Sequence, residues 1–144
     1  AHGFPAVEDV LSGRGIERVF AWLGEEEGEP GEASAADIMA AVAQGGDGRA
    51  RRAAAVVSRM LGTVAGNLSL IQLPFGGVWL AGGVARALAP HLAECGFVEA
   101  FRDKGRFSGF MGNFGVGVIE DDFAALTGSA AHLASMLRRR GGIG

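Results

Sequence analysis

Apolar residues recur along most of this chain at helical spacing, and only in two short places as unbroken runs. Ile16, Val19, Phe20 and Leu23 follow a shorter apolar face at Val7, Val10 and Leu11, which predicts helix over 7–23 in two pieces parted by Gly13-Arg14-Gly15. Residues 24–32 are acidic and carry Gly24, Gly28, Pro30 and Gly31, the composition of an exposed loop. Ser34 is a suitable N-cap for a helix through Ala43, with Asp37 at its third position, and Gly45-Gly46 ends it. Val57, Met60, Leu61, Val64, Leu68 and Ile71 then form a sustained stripe, which predicts a long helix over 49–73 that Pro74 stops. Gly62 and Gly66 lie on adjacent turns of it and allow a neighbour to approach closely.

The run Val78-Trp79-Leu80-Ala81 predicts a strand over 77–81 that ends on Gly82-Gly83 and passes directly into a helix over 85–95. A short helix over 98–102, a loop, a second strand over 115–119 and a last helix from a Ser129 cap to Arg139 complete the pattern. This alternation argues α/β with parallel strands. Two strands leave a sheet edge unpaired, so further strands are expected from sequence on the N-terminal side.

Composition narrows the partners. At 144 residues, 49% apolar and 20% charged, the chain holds one globular domain's worth of material. A net charge of −3 gives no general attraction to nucleic acid or to an acidic membrane. The basic residues are twelve arginines and Lys104, which we read as a compositional habit, not a binding face. Cys95 is the one cysteine, so it has no intrachain disulfide partner and suits a reducing cytoplasm. Apolar runs break well before about 18 residues, so no membrane span is expected. The chain opens without Met or a signal pattern, which we take as the mark of a fragment or processed product. His2, His91 and His132 stand apart from one another and from Cys95, so no structural metal is expected.

The strand that ends on Gly82-Gly83 is the most informative stretch. Backbone without a Cβ can lie against a flat ligand at the carboxyl end of a sheet, and helix N–H groups beyond it favour phosphate. The same junction also serves as a plain tight turn. Glu8, taken alone, reads as a glutamate favourably placed at a helix start. Lys104 and Arg106, alternately spaced in a loop, suit a phosphate clamp, but a solvated ion pair with Asp103 is the simpler account. Arg138-Arg139-Arg140 reads as a solvated helix end.

Five segments together resemble the C-terminal part of bacterial glucokinases, hexokinase-type enzymes of the actin-like ATPase superfamily with a ribonuclease H-like fold. They are Glu8-Asp9-Val10-Leu11-Ser12-Gly13-Arg14-Gly15, Leu61-Gly62-Thr63-Val64-Ala65-Gly66-Asn67-Leu68, the run 78–86, Phe101-Arg102-Asp103-Lys104-Gly105-Arg106-Phe107-Ser108, and Val116-Gly117-Val118-Ile119 with Leu126-Thr127-Gly128-Ser129-Ala130-Ala131. The acidic loop at 24–33 fits least well, and Ala85 stands where the family more often has proline. The resemblance implies ATP-dependent phosphorylation of glucose to glucose 6-phosphate, the first step of glycolysis. Magnesium would enter with ATP, held mainly by the phosphates, and the enzyme would be a cytoplasmic homodimer. It also implies that Glu8 contacts the sugar and that Gly82, Gly83 and Gly128 border the adenosine. The family's catalytic aspartate and phosphate-binding turns are expected in an N-terminal half, since no Asn-Asp pair or Asp-x-Gly-Thr hairpin occurs here. These 144 residues alone would then be inactive. A kinase for another hexose, or a non-catalytic sugar-sensing module of the same fold, are the alternatives.

Overall fold

The computed structural model of the protein describes residues 6–46 and 48–141. His2 lies outside them, as does the side chain of Arg140. Helix α1 (Gly13–Glu26) begins where Ser12 Oγ accepts the Gly15 N–H at 3.1 Å. Gly13-Arg14-Gly15 is therefore its first turn, not a break, and the apolar residues ahead of it form one 3-10 turn at Val7–Asp9. The helix also runs to Glu26, past the expected end at Leu23. Just beyond it, Arg49 reaches Glu27 at 3.5 Å and Glu29 at 3.4 Å, and Arg52 also pairs with Glu27. Two arginines thus pair with two glutamates of the acidic stretch, a structural use for charge that composition alone does not reveal.

Helix α2 (Ala35–Ala43) starts as expected, with Ser34 Oγ accepting the Asp37 N–H at 3.2 Å. Glu17 on α1 accepts the Ala35 N–H at 2.9 Å, and Ile38 and Val42 turn inward. Helix α3 (Gly48–Gln72) is the central support, packed against α1, α2 and the later helix α5 (Phe97–Arg102). Its buried face differs from the apolar stripe. Ala53, Ala54, Val57, Gly62, Ala65 and Gly66 are buried, whereas Met60, Leu68 and Ile71 are exposed. Steric distance explains the difference. A Cβ on Gly62 would lie 2.4 Å from the Phe97 carbonyl oxygen, and one on Gly66 would lie 2.4 Å from that of Phe101. Small residues let α5 sit on α3 backbone to backbone, while Leu61, Val64 and Leu68 line a groove beside the first strand. By length and a mean hydropathy of 1.4 over its best window, α3 is apolar enough to cross a bilayer, contrary to the expectation from run lengths. Its packing against three helices accounts for part of that apolarity, since 39% of the window is buried.

Strands β1 (Val78–Leu80) and β2 (Val116–Val118) are parallel, in register Val78↔Val116 through Leu80↔Val118. Among the described residues no third strand pairs with either. Between them, α4 (Gly83–Leu88) ends well short of Cys95: Pro90 cannot donate to the helix ladder, and a 3-10 turn at Ala89–His91 follows. Gly96, at φ 80, reverses the chain into α5. Helix α6 (Ala124–Gly141) starts before Ser129, led in by Asp121, whose Oδ1 accepts the Phe123 N–H at 2.8 Å. The core gathers Ile16, Ile38, Val57, Leu88, Phe101 and Met111.

Candidate functional site

The 3-10 turn bearing Glu8 lies against the start of α1. Contact is close because Gly15 has no side chain; a Cβ there would stand 2.1 Å from the Val10 carbonyl oxygen. Asp9 ties the turn at both ends, accepting the Ala6 N–H through Oδ2 at 2.9 Å and Arg18 Nη1 through Oδ1 at 2.7 Å. Glu8 is exposed, and its carboxylate has no hydrogen bond or ion pair among the described residues. It borders a polar hollow of about 550 Å³ with Asp9, Ser12, Gly13 and Arg14. Such a free carboxylate can accept hydroxyl hydrogen bonds from a polyol.

Gly82 and Gly83 follow β1. Gly82 has φ 109 and ψ 168, a region open to glycine almost alone. A Cβ on either glycine would meet nothing within 4 Å, so their backbone forms the wall of open space. Gly83 borders an apolar hollow of about 400 Å³ with Gly13, Ile16, Ala35, Met39 and Val84. Both glycines border a smaller one with Leu11, Val57 and Leu61. Gly13 is common to the polar hollow of Glu8 and the apolar hollow of Gly83. A polar hollow and an apolar hollow beside the start of α1 thus share Gly13 in their linings. Arg86 on α4 pairs with Asp122 and ties the glycine turn to the approach to α6.

The other candidates fall elsewhere. Gly128 is exposed on α6 and borders neither hollow. Lys104 Nζ donates to the Ala100 carbonyl at 3.0 Å and to the Asp103 carbonyl at 3.2 Å. It caps the carboxyl end of α5 and makes no carboxylate pair among the described residues. Arg106 stacks over Phe107, 4.9 Å from the ring centre. His91 is not isolated, since its Nδ1 meets Glu94 at 2.8 Å. Among the described residues no group of three His, Cys, Asp or Glu side chains is placed to hold a metal. The Cys95 thiol is pushed up from its ordinary pKa, first by burial and then by Glu94, with Ser58 and Arg51 opposing. Sequence reasoning missed Gly13, Gly15 and Arg18, because their roles depend on contacts across a turn.

The profile of the glucokinase family matches residues 2–136. A glucokinase of Chromobacterium violaceum is 34% identical over 139 residues, which are 96% of this chain and 40% of that protein. One from Erwinia tasmaniensis is 33% identical over 138 residues, 95% of this chain and 43% of that protein. The crystal structure of a glucokinase from an Antarctic psychrotroph superposes with a TM-score of 0.80 at 29% identity, covering 93% of this chain and 42% of that one. The chain spans about two fifths of the length of the curated relatives it matches.

Proposed function

The chain belongs to the glucokinase family, and from that premise we propose that it forms the C-terminal portion of an enzyme that moves the terminal phosphoryl group of ATP onto the 6-hydroxyl of glucose. The observation that carries this reading is the meeting of two unlike hollows at Gly13. The polar one suits a sugar and the apolar one suits a nucleoside.

In this reading Glu8 orients glucose by accepting two of its hydroxyls. It does no proton transfer at the reacting oxygen; it fixes the ring so that the 6-hydroxyl faces the phosphoryl group. Gly82 and Gly83 admit the nucleoside, because any side chain they carried would project into its space. Ile16, Met39 and Val84 give the nucleoside base an apolar lining. ATP supplies the transferred group, and magnesium comes with its phosphates. The catalytic aspartate and the phosphate-binding turns belong to the remaining length of the family's proteins, so these residues alone would give only background turnover. Closure of two lobes would bring the halves together, in a cytoplasmic homodimer.

Calorimetric titration of the complete enzyme tests the two assignments separately. Glu8→Gln is expected to weaken glucose binding about tenfold or more, as for loss of a charged hydrogen bond, with ATP affinity nearly unchanged. Gly83→Val is expected to abolish nucleotide binding and spare glucose. Wild-type glucose affinity in Glu8→Gln, or wild-type ATP affinity in Gly83→Val, overturns the corresponding assignment.

A further inference from the structure

We infer that Asp9 and Arg18 are positioning residues for the sugar: their ion pair fastens the turn that carries Glu8 onto α1 and so sets the direction of the Glu8 carboxylate. The inference rests on the reading of Glu8 as the glucose contact and adds two residues that act through it.

The turn needs such fastening. Val7–Asp9 is three residues long, held internally by the Asp9 N–H to the Ala6 carbonyl at 3.0 Å and the Val10 N–H to the Val7 carbonyl at 3.2 Å. Short 3-10 segments have poor hydrogen-bond geometry, and segments with few contacts open readily. No side chain or backbone group among the described residues holds the Glu8 carboxylate, so its aim is inherited from its own backbone.

Arg18 supplies the hold. Its Nη1 donates to Asp9 Oδ1 at 2.7 Å and to the Asp9 carbonyl oxygen at 3.3 Å. One guanidinium nitrogen thereby grips both the side chain and the main chain of the residue next to Glu8. Asp9 Oδ2 meanwhile accepts the Ala6 N–H on the other side of Glu8. The backbone on both sides of Glu8, at Ala6 and at Asp9, is thus tied to the second turn of a helix that Ser12 caps. Gly15 lets the Val10 backbone rest on the same helix, giving the turn a second seat. A carboxylate that receives two hydroxyls in its plane tolerates little rotation, so loosening this turn raises the cost of binding sugar and leaves the nucleotide hollow untouched.

The pair is partly exposed, with Arg18 at 46% and Asp9 at 32% side-chain exposure, which sets the size of the effect. Exposed pairs supply no more than about a threefold to fivefold change in an equilibrium. In the complete enzyme, Arg18→Ala is expected to raise the glucose KM about threefold to fivefold, with kcat, the ATP KM and the melting temperature unchanged. Arg18→Lys should recover most of that loss. Asp9→Ala should cost somewhat more because it also frees the Ala6 N–H, and the double variant should cost no more than Asp9→Ala. An unchanged glucose KM in Arg18→Ala, additive losses in the double variant, or parallel rises in both KM values with a lower melting temperature would each overturn the inference. Glu8→Gln in the same assay separates the two levels: if it leaves the glucose KM unaltered, the sugar assignment itself fails. If Glu8→Gln raises the glucose KM and Arg18→Ala does not, only the positioning role fails.

Discussion

Helices α3 and α6 are both long, and both carry regularly spaced apolar residues, yet one is the spine of the molecule and the other is nearly bare. Along α3 the buried face is mostly small, with Ala53, Ala54, Gly62, Ala65 and Gly66 joined by Val57 and two serines. Along α6, Leu126, Leu133 and Leu137 are respectively 69%, 57% and 60% exposed. Helical periodicity says which residues share a face. It does not say whether anything covers that face. Close packing here is written in missing side chains, where α5 approaches α3 too closely for a Cβ. Met60, Leu68 and Ile71 on α3 and the leucines of α6 instead mark surface without a covering element among the described residues.

Substitutions can break that contrast, starting with the most severe. Gly62→Leu puts a side chain into the Phe97 backbone and should destabilise the protein by about 3 kcal/mol in urea unfolding. A wild-type unfolding midpoint would mean that α5 is not held where it is described. Gly15→Ala, which confronts the Val10 carbonyl, should cost about 2 kcal/mol and raise the glucose KM together with it, as read by unfolding and steady-state kinetics. On α6 the sign reverses. Gly128→Ala replaces an exposed helix glycine and should stabilise the protein by up to about 1 kcal/mol in a thermal melt. A simultaneous loss of ATP affinity would assign Gly128 to the nucleotide. The smallest effect concerns Cys95, buried beside α3. Its folded thiol holds its proton more tightly than the unfolded one does, so stability is full below the ordinary thiol pKa of about 8.5 and declines as pH rises beyond it. Cys95→Ala should flatten that alkaline decline in unfolding curves compared from pH 7 to pH 10.

Where a signal is local, the sequence announces it. Ser34 with Asp37 gives the start of α2, and the strand runs at 77–81 and 115–119 shrink only to Val78–Leu80 and Val116–Val118. Pro90 was available to shorten the helix after Gly83, and Asp121 to start α6 early, but Ala85–Cys95 spacing and Ser129 are the louder patterns. Contacts across space are harder to read. Asp9 and Arg18 are nine positions apart, and nothing in their spacing distinguishes their pairing from that of any other two charges. Gly15 and Val10 meet only because the turn at Val7–Asp9 folds back onto α1. The glycines of the candidate site were legible from the strand that precedes them. The role of Gly13 in joining two hollows was not, since it follows from where α1 sits beside α2 and α4.

The two-stranded sheet has a practical consequence for anyone who purifies these residues by themselves. Its outer margins present amide and carbonyl groups that nothing else in the described chain satisfies, so concentrated samples invite strand-to-strand adhesion between molecules. Sedimentation at several dilutions should accordingly precede any titration, because a curve recorded on clustered material would measure the clusters.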